Sequence, residues 1–210
     1  MIREIDGPVG HLEVRLDESP DPPRVAVVFG SPHPQYGGTL HSKVVFQAAK
    51  ALTNVGAVVL RFNYRGAGAS EGTYDGGPGE QSDFKAALDF MAKAYPGLPL
   101  WAAGYSFGAW VALSVGALDD RVTALIAIAP PVDGHDFSVV QTSGKPVFLI
   151  QGEADHVCSL KSTQRFYGML NEPRELVVID AADHSFDGHV SEVGDALEDL
   201  LSDFEPFDTA

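Results

Sequence analysis

Six short apolar runs punctuate the chain: RVAVVFG (24–30), GAVVLRFNY (56–64), LPLWAAGY (98–105), VTALIAIA (122–129), KPVFLIQG (145–152) and RELVVID (174–180). Each is continuous rather than alternating, and rich in Val, Ile and Leu. A strand with one wet face alternates apolar and polar residues; a strand covered on both faces does not. The runs therefore read as strands of a mostly parallel sheet lying between two layers. Helical patterns separate them. Residues 39–53 carry the stripe Val44, Val45, Ala48 and Leu52, and residues 80–95 carry Phe84, Ala87, Leu88 and Met91. Residues 107–118 offer Phe107, Val111, Val115 and Leu118. Ser159 is placed to cap a helix running to Leu170, and a last helix carries Val190, Val193, Leu197, Leu200 and Leu201. Strands alternating with helices imply right-handed βαβ units, hence a doubly wound α/β architecture flanked by helices.

The segment HLEVRLD (11–17) alternates and is charged, so it is expected in an antiparallel edge hairpin. No boundary divides residues 1–210, which read as one domain. The connection 130–144 is too short for a cap domain, so any lid is a loop. The polar tail SDFEPFDTA (202–210) is expected to fray.

Charge narrows the partners. Fourteen Lys and Arg stand against 29 Asp and Glu, a net charge of −15. That argues against nucleic acid and anionic membranes as partners and leaves a small molecule. The lone Cys158 allows no intrachain disulfide, which fits a reducing cytoplasm. The N-terminus has no basic region followed by an apolar run, and ALIAIAPPV (124–132) is too short to span a bilayer.

Ligands of doubly wound sheets bind beyond the carboxyl ends of the strands, so the residues just after each run are the ones to read for chemistry. Gly104-Tyr105-Ser106-Phe107-Gly108 lies where a strand gives way to a helix. The bare G-x-S-x-G pattern is weak; its place at a sharp strand-to-helix turn is not. Such a turn needs small neighbours, supplied by Gly104, Gly108 and Ala109, and exposes the serine hydroxyl. The competing reading is a glycine-rich turn whose serine caps the helix. A serine needs a base. His184, in DAADHSF after the last run, falls at the same sheet edge. The competing reading is a surface loop histidine. For the carboxylate, Asp155 in QGEADHV is favoured, with Asp133 in PPVDGHD its rival; Asp183 adjoins His184, but neighbours on an extended segment point apart. Either aspartate could instead stabilise a turn. An oxyanion requires two N–H donors. The Phe107 backbone supplies one, and the loop SPHPQYGG the other. Pro32 and Pro34 have no N–H, which nominates His33, with Gln35 and Tyr36 as alternatives.

The order Ser, Asp, His, with a nucleophile elbow, resembles the α/β-hydrolase superfamily. The likeness is carried by PHPQYGGT, LRFNYRGAGASEG, GYSFGA, GEADHV and ADHSF. It covers about Val25 to Phe186. The chain looks most like small, cap-less bacterial members related to dienelactone hydrolases and cocaine-esterase-type acyl esterases. The resemblance implies an α/β-hydrolase fold, Ser106 as nucleophile, Asp155 as acid and His184 as base, acting on an ester or related acyl bond without cofactor or metal. Similar proteins often carry HPHP where this chain has SPHP, so Ser31 stands where a histidine commonly braces the oxyanion loop. Tyr36, Tyr105 and Tyr74 are expected to line the substrate pocket.

Other readings are poorer. RGAGASEG lacks the G-x-G-x-x-G spacing of a dinucleotide site, since Gly66, Gly68 and Gly72 are spaced differently, and it lacks a P-loop lysine. His33, His135, His156 and His184 show no paired metal-ligand spacing. A non-catalytic binding protein on the same fold is argued against by the intact Ser, Asp and His; an acyltransferase or perhydrolase would use the same three residues.

Overall fold

The computed structural model describes residues 3–202 and Phe204. Eight strands form one sheet: β1 (Glu4–Gly7), β2 (Gly10–Asp17), β3 (Val25–Gly30), β4 (Ala57–Phe62), β5 (Leu100–Tyr105), β6 (Val122–Ile128), β7 (Val147–Gly152) and β8 (Arg174–Ile179). Their spatial order is β1-β2-β4-β3-β5-β6-β7-β8. β1 and β2 are antiparallel, as is the β2–β4 pair; every pairing from β3 onward is parallel. The expected hairpin at 11–17 is thus β1–β2, and it closes one edge of the sheet.

The helices are α1 (Lys43–Asn54), α2 (Pro78–Ala94), α3 (Phe107–Leu118), the short α4 (Ser138–Thr142), α5 (Leu160–Met169) and α6 (Val190–Ser202). They cover the sheet in two layers. α1 and α6 pack together on one face, where Val45, Leu52, Val193 and Leu197 meet Val27, Val59 and Ile126. α2 and α3 cover the other, where Phe84, Leu88, Val111 and Leu113 meet Val28, Leu60 and Leu125. Strands β3, β4, β5 and β7 are buried at every position, as continuous apolar runs require.

Two sequence expectations need correction. α3 has no single apolar stripe. Nine of its twelve residues are buried, while Leu118 is 72% exposed. The helix lies against β3, β5 and β6 and is flanked by α2 and α4, so it is buried nearly all round. β8 is not a doubly covered strand: it is the sheet edge, and five of its six residues are only partly buried or exposed. α4, within the 130–144 connection, has no counterpart in the sequence reading. The tail from 202 onward lies outside the described residues except for the Ser202 backbone and Phe204, whose ring packs on Trp101 and Phe148.

The loop after β4 is tied to α2 by a buried ion pair. Arg65 forks onto Asp83 of α2, with Nη2–Oδ1 at 2.7 Å and the Arg65 N–H on Oδ2 at 3.0 Å. The Arg65 side chain is 7% exposed and that of Asp83 is fully buried. Removing one member of a buried pair leaves the other charge uncompensated, which costs about 3–5 kcal/mol. Asp83→Ala should lose stability of that order in urea unfolding; a loss near zero would mean the pair is solvated.

Candidate active site

At the end of β5 the chain turns into α3 through Ser106, whose φ of 55° and ψ of −122° lie where a residue with a side chain is strained. Such strain costs about 1–3 kcal/mol and persists only where the surroundings impose it. Here they do. The Ser106 N–H donates to the Ile128 carbonyl at 2.9 Å, and its carbonyl accepts the Ala109 N–H at 2.9 Å. The backbones beside it touch: a Cβ on Gly104 would stand 2.2 Å from the Gly108 carbonyl oxygen. Only glycine fits there.

The Ser106 side chain makes no capping hydrogen bond to α3. Its Oγ lies 3.0 Å from His184 Nε2, and His184 Nδ1 lies 2.8 Å from Asp155 Oδ2. Of the three carboxylates weighed from the sequence, Asp155 is the one bonded to His184. Asp133 instead accepts a hydrogen bond from Ser159 Oγ at 3.3 Å, and Asp183 accepts from the Asp187 N–H. Asp155 Oδ1 also accepts the N–H groups of Val157 and Cys158, each at 2.8 Å. Burial favours the neutral acid, but the hydrogen bond from His184 and those from the Cys158 and Val157 backbones outweigh it and hold the carboxyl below its usual range. His184 is fixed by its own backbone as well. Its carbonyl accepts the Tyr105 hydroxyl at 2.7 Å, so the residue before the elbow anchors the histidine loop.

The proposed oxyanion donors flank this group. Phe107 is the first residue of α3, and its N–H has no intrahelical acceptor. In the loop after β3, the Gln35 N–H donates to His33 Nδ1 and the Tyr36 N–H to the His33 carbonyl. The His33 N–H has no partner among the described residues. Ser31, 1% exposed, donates its hydroxyl to the Phe62 carbonyl and so ties this loop to the end of β4.

Ser106 opens onto a cavity of about 850 Å³, lined in part by His33, Tyr36, Phe107, His135, Val157 and His184. Tyr36 and Tyr105 line it too. Tyr74 is not among the lining residues. It stands behind the wall, with ring centroids 5.0 Å from His33 and 6.1 Å from Phe107. Sequence reasoning passed over Gln151, whose amide reaches Asp155. The available signal was a polar residue ending the apolar run VFLIQG.

Among the described residues, one group of side chains has metal-like spacing: Asp155, Cys158 and His184, with ligand atoms within 4.8 Å of one another. Asp155 and His184 already satisfy each other. Burial, with Asp155 and Asp133 nearby, pushes the Cys158 thiol up to about 12. The thiol stays protonated near neutrality, and a thiol is a far poorer nucleophile than a thiolate. Iodoacetamide at pH 8 should leave Cys158 unmodified in folded protein and alkylate it in urea, as mass spectrometry would read; rapid alkylation of folded protein would contradict this burial.

The family described as "Serine aminopeptidase, S33" (Hydrolase_4) matches residues 35–143. A protein of Rickettsia prowazekii (strain Madrid E), itself uncharacterized, is 34% identical over 205 residues, covering 93% of this chain and 86% of its own. The structure of an alpha-beta serine hydrolase homologue from Coxiella burnetii superposes with a TM-score of 0.89 at 38% identity, covering 94% of this chain and 95% of the other. A Xanthomonas campestris protein, described as an a/b serine hydrolase without lid, gives 0.88 at 36% identity, with 95% and 92% covered. No helix among the described residues is long and apolar enough to cross a membrane. With its strand order, its elbow at Ser106 and these relatives, the chain belongs to the α/β serine hydrolase superfamily as a small, lidless bacterial member.

Proposed function

We propose that this protein hydrolyses a carboxylic ester or related acyl bond through an acyl-enzyme on Ser106. The observation that carries this reading is the unbroken hydrogen-bonded chain from Ser106 Oγ through His184 to Asp155, with Ser106 held at a strained elbow. With Nδ1–H donated to the Asp155 carboxylate, His184 Nε2 carries a lone pair facing the serine hydroxyl. Ser106 Oγ attacks the acyl carbon while its proton passes to Nε2. The carbonyl oxygen takes the negative charge, held by the N–H groups of Phe107 and His33. The intermediate collapses by expelling the alcohol, which takes the proton from Nε2. Water then repeats the sequence: it gives Nε2 a proton, attacks the acyl carbon, and leaves the acid with Ser106 reprotonated.

The cavity also supports a choice of acyl group. Asp133 and Asp187 line it, and its lining cation, Lys43, is exposed and 3.9 Å from Asp187. Burial lowers the imidazole pKa of both His33 and His135, which keeps them uncharged at neutral pH. Among the described residues that line the cavity, no unopposed positive charge meets an anionic substrate. The favoured substrate is a neutral acyl ester.

Three measurements test this reading. A fluorophosphonate probe should label Ser106, with labelling lost in His184→Ala, and Ser106→Ala should lower kcat by about 10⁴- to 10⁶-fold with the fold retained. A well-folded protein that takes no label would refute the nucleophile. For the acyl preference, a phenyl ester of a neutral acid should exceed the corresponding succinate half-ester in kcat/KM by roughly tenfold at low salt, the gap narrowing as ionic strength rises. Equal rates, or preference for the anion, would count against it.

A further inference from the structure

β7 is apolar from Val147 to Ile150, yet its next residue is a fully buried Gln151. A buried primary amide is costly unless both donors and the acceptor are matched. Here they are. Nε2 lies 2.9 Å from Asp155 Oδ2 and 2.8 Å from the Cys158 carbonyl, and Oε1 accepts from Thr163 Oγ1 at 2.9 Å. Two acceptors on one side and a hydroxyl donor on the other leave the amide one orientation. Thr163 is fully buried as well, in the first turn of α5, where the Ser159 cap sets the start of the helix. A fixed helix therefore holds Thr163, Thr163 holds Gln151, and Gln151 reaches the carboxylate.

We infer that Gln151, oriented by Thr163, is a positioning residue for Asp155 and acts on the reaction through His184. The inference rests on the reading of Ser106, His184 and Asp155 as the catalytic group. A carboxylate offers about four acceptor sites. Val157 N–H and Cys158 N–H occupy Oδ1, while the Gln151 amide and His184 Nδ1 share Oδ2. The first three donors belong to groups that cannot swing away. They fix the carboxylate plane, and the direction left for the imidazole N–H is the one that aims Nε2 at Ser106. Without the amide, Oδ2 keeps a single partner, and only the two backbone bonds to Oδ1 restrain the turn of the carboxylate about its Cβ–Cγ bond. His184 then keeps its partner but loses part of the support that aims its ring.

Gln151→Met removes the donors at similar volume, and Gln151→Glu sets a second carboxyl against Asp155, where like charges force the pair to share a proton. Thr163→Val removes the hydroxyl that orients the amide; Thr163→Ser restores it. The readouts are the fluorophosphonate labelling rate of Ser106 across pH and an NMR titration of the His184 imidazole. Gln151→Met should slow labelling by about tenfold or more, as loss of a hydrogen bond to a charged group implies, and should shift the His184 titration. Gln151→Glu should displace the acid limb of the labelling profile. Thr163→Val should fall part-way and Thr163→Ser should match wild type. A wild-type rate and titration in folded Gln151→Met, whatever its Tm, would overturn the inference and leave the amide a packing group. Should Gln151→Met not fold, the Thr163 pair decides by the same readouts: equal rates and titrations overturn the inference. Absence of label on wild type would refute the nucleophile instead, and the His184 titration would still decide whether Gln151 positions Asp155.

Discussion

Direct contact between backbones governs this structure. The first turn of α3 rests on the ends of β3 and β5 with no side chain between: a Cβ on Gly108 would stand 2.3 Å from the Gly30 carbonyl oxygen, as one on Gly104 would crowd Gly108 itself. That approach brings the helix N-terminus over the sheet edge. It forces Ser106 into its positive-φ conformation, leaves the Phe107 N–H unspent, and sets the floor of the cavity. Everything polar at the site is arranged around a position that backbone packing has already chosen. The stabilisation offsetting the elbow's strain comes from the doubly covered strands beneath it.

Around that position the polar groups are matched, and the matching extends beyond the reacting atoms. Asp155 is buried and ionised because four donors converge on it. Ser31 ties the loop after β3 to β4, and Asp83 ties the loop after β4 to α2. Each bond joins a loop at the carboxyl edge of the sheet to an element that packing has immobilised. A lidless site has no closing segment to organise it, so its order is built into these ties.

Much of this was legible in the sequence, for a physical reason. Central parallel strands are apolar without alternation, so β3 to β7 announced themselves, and the topology of such sheets puts function just past their ends. That rule singled out Ser106 and His184 and left Asp155 with Asp133 as its rival; the structure brings Ser106, His184 and Asp155 into one hydrogen-bonded chain. The failures share a cause as well. Leu118 fits a helical stripe, but α3 lies between α2 and α4, so the stripe was not the boundary between core and solvent. RELVVID has the composition of an inner strand, but no strand follows it in the sheet order. Tyr74 sits near the elbow in space, yet His33 and Phe107 stand in front of it. Gln151 could be seen as odd, but not as Asp155's neighbour, because that depends on how the loop after β7 folds back. In each case the missing information was the identity of a tertiary neighbour.

The histidine proposed as base enters from the least protected part of the sheet. His184 follows a half-covered edge strand whose lateral pairing is with β7 alone, and the Tyr105 hydroxyl and the Asp155 carboxylate tie it back. Opening of an edge strand costs less free energy than unfolding of the whole. The Ser106–His184 contact and the scaffold therefore have separate melting behaviours: warmth or mild denaturant can part His184 from Ser106 while the inner strands, the elbow and its glycine contacts stay intact. On the proposed mechanism such a protein would fall silent reversibly before it unravels, with its working range set by the holds of Tyr105 and Asp155 on His184.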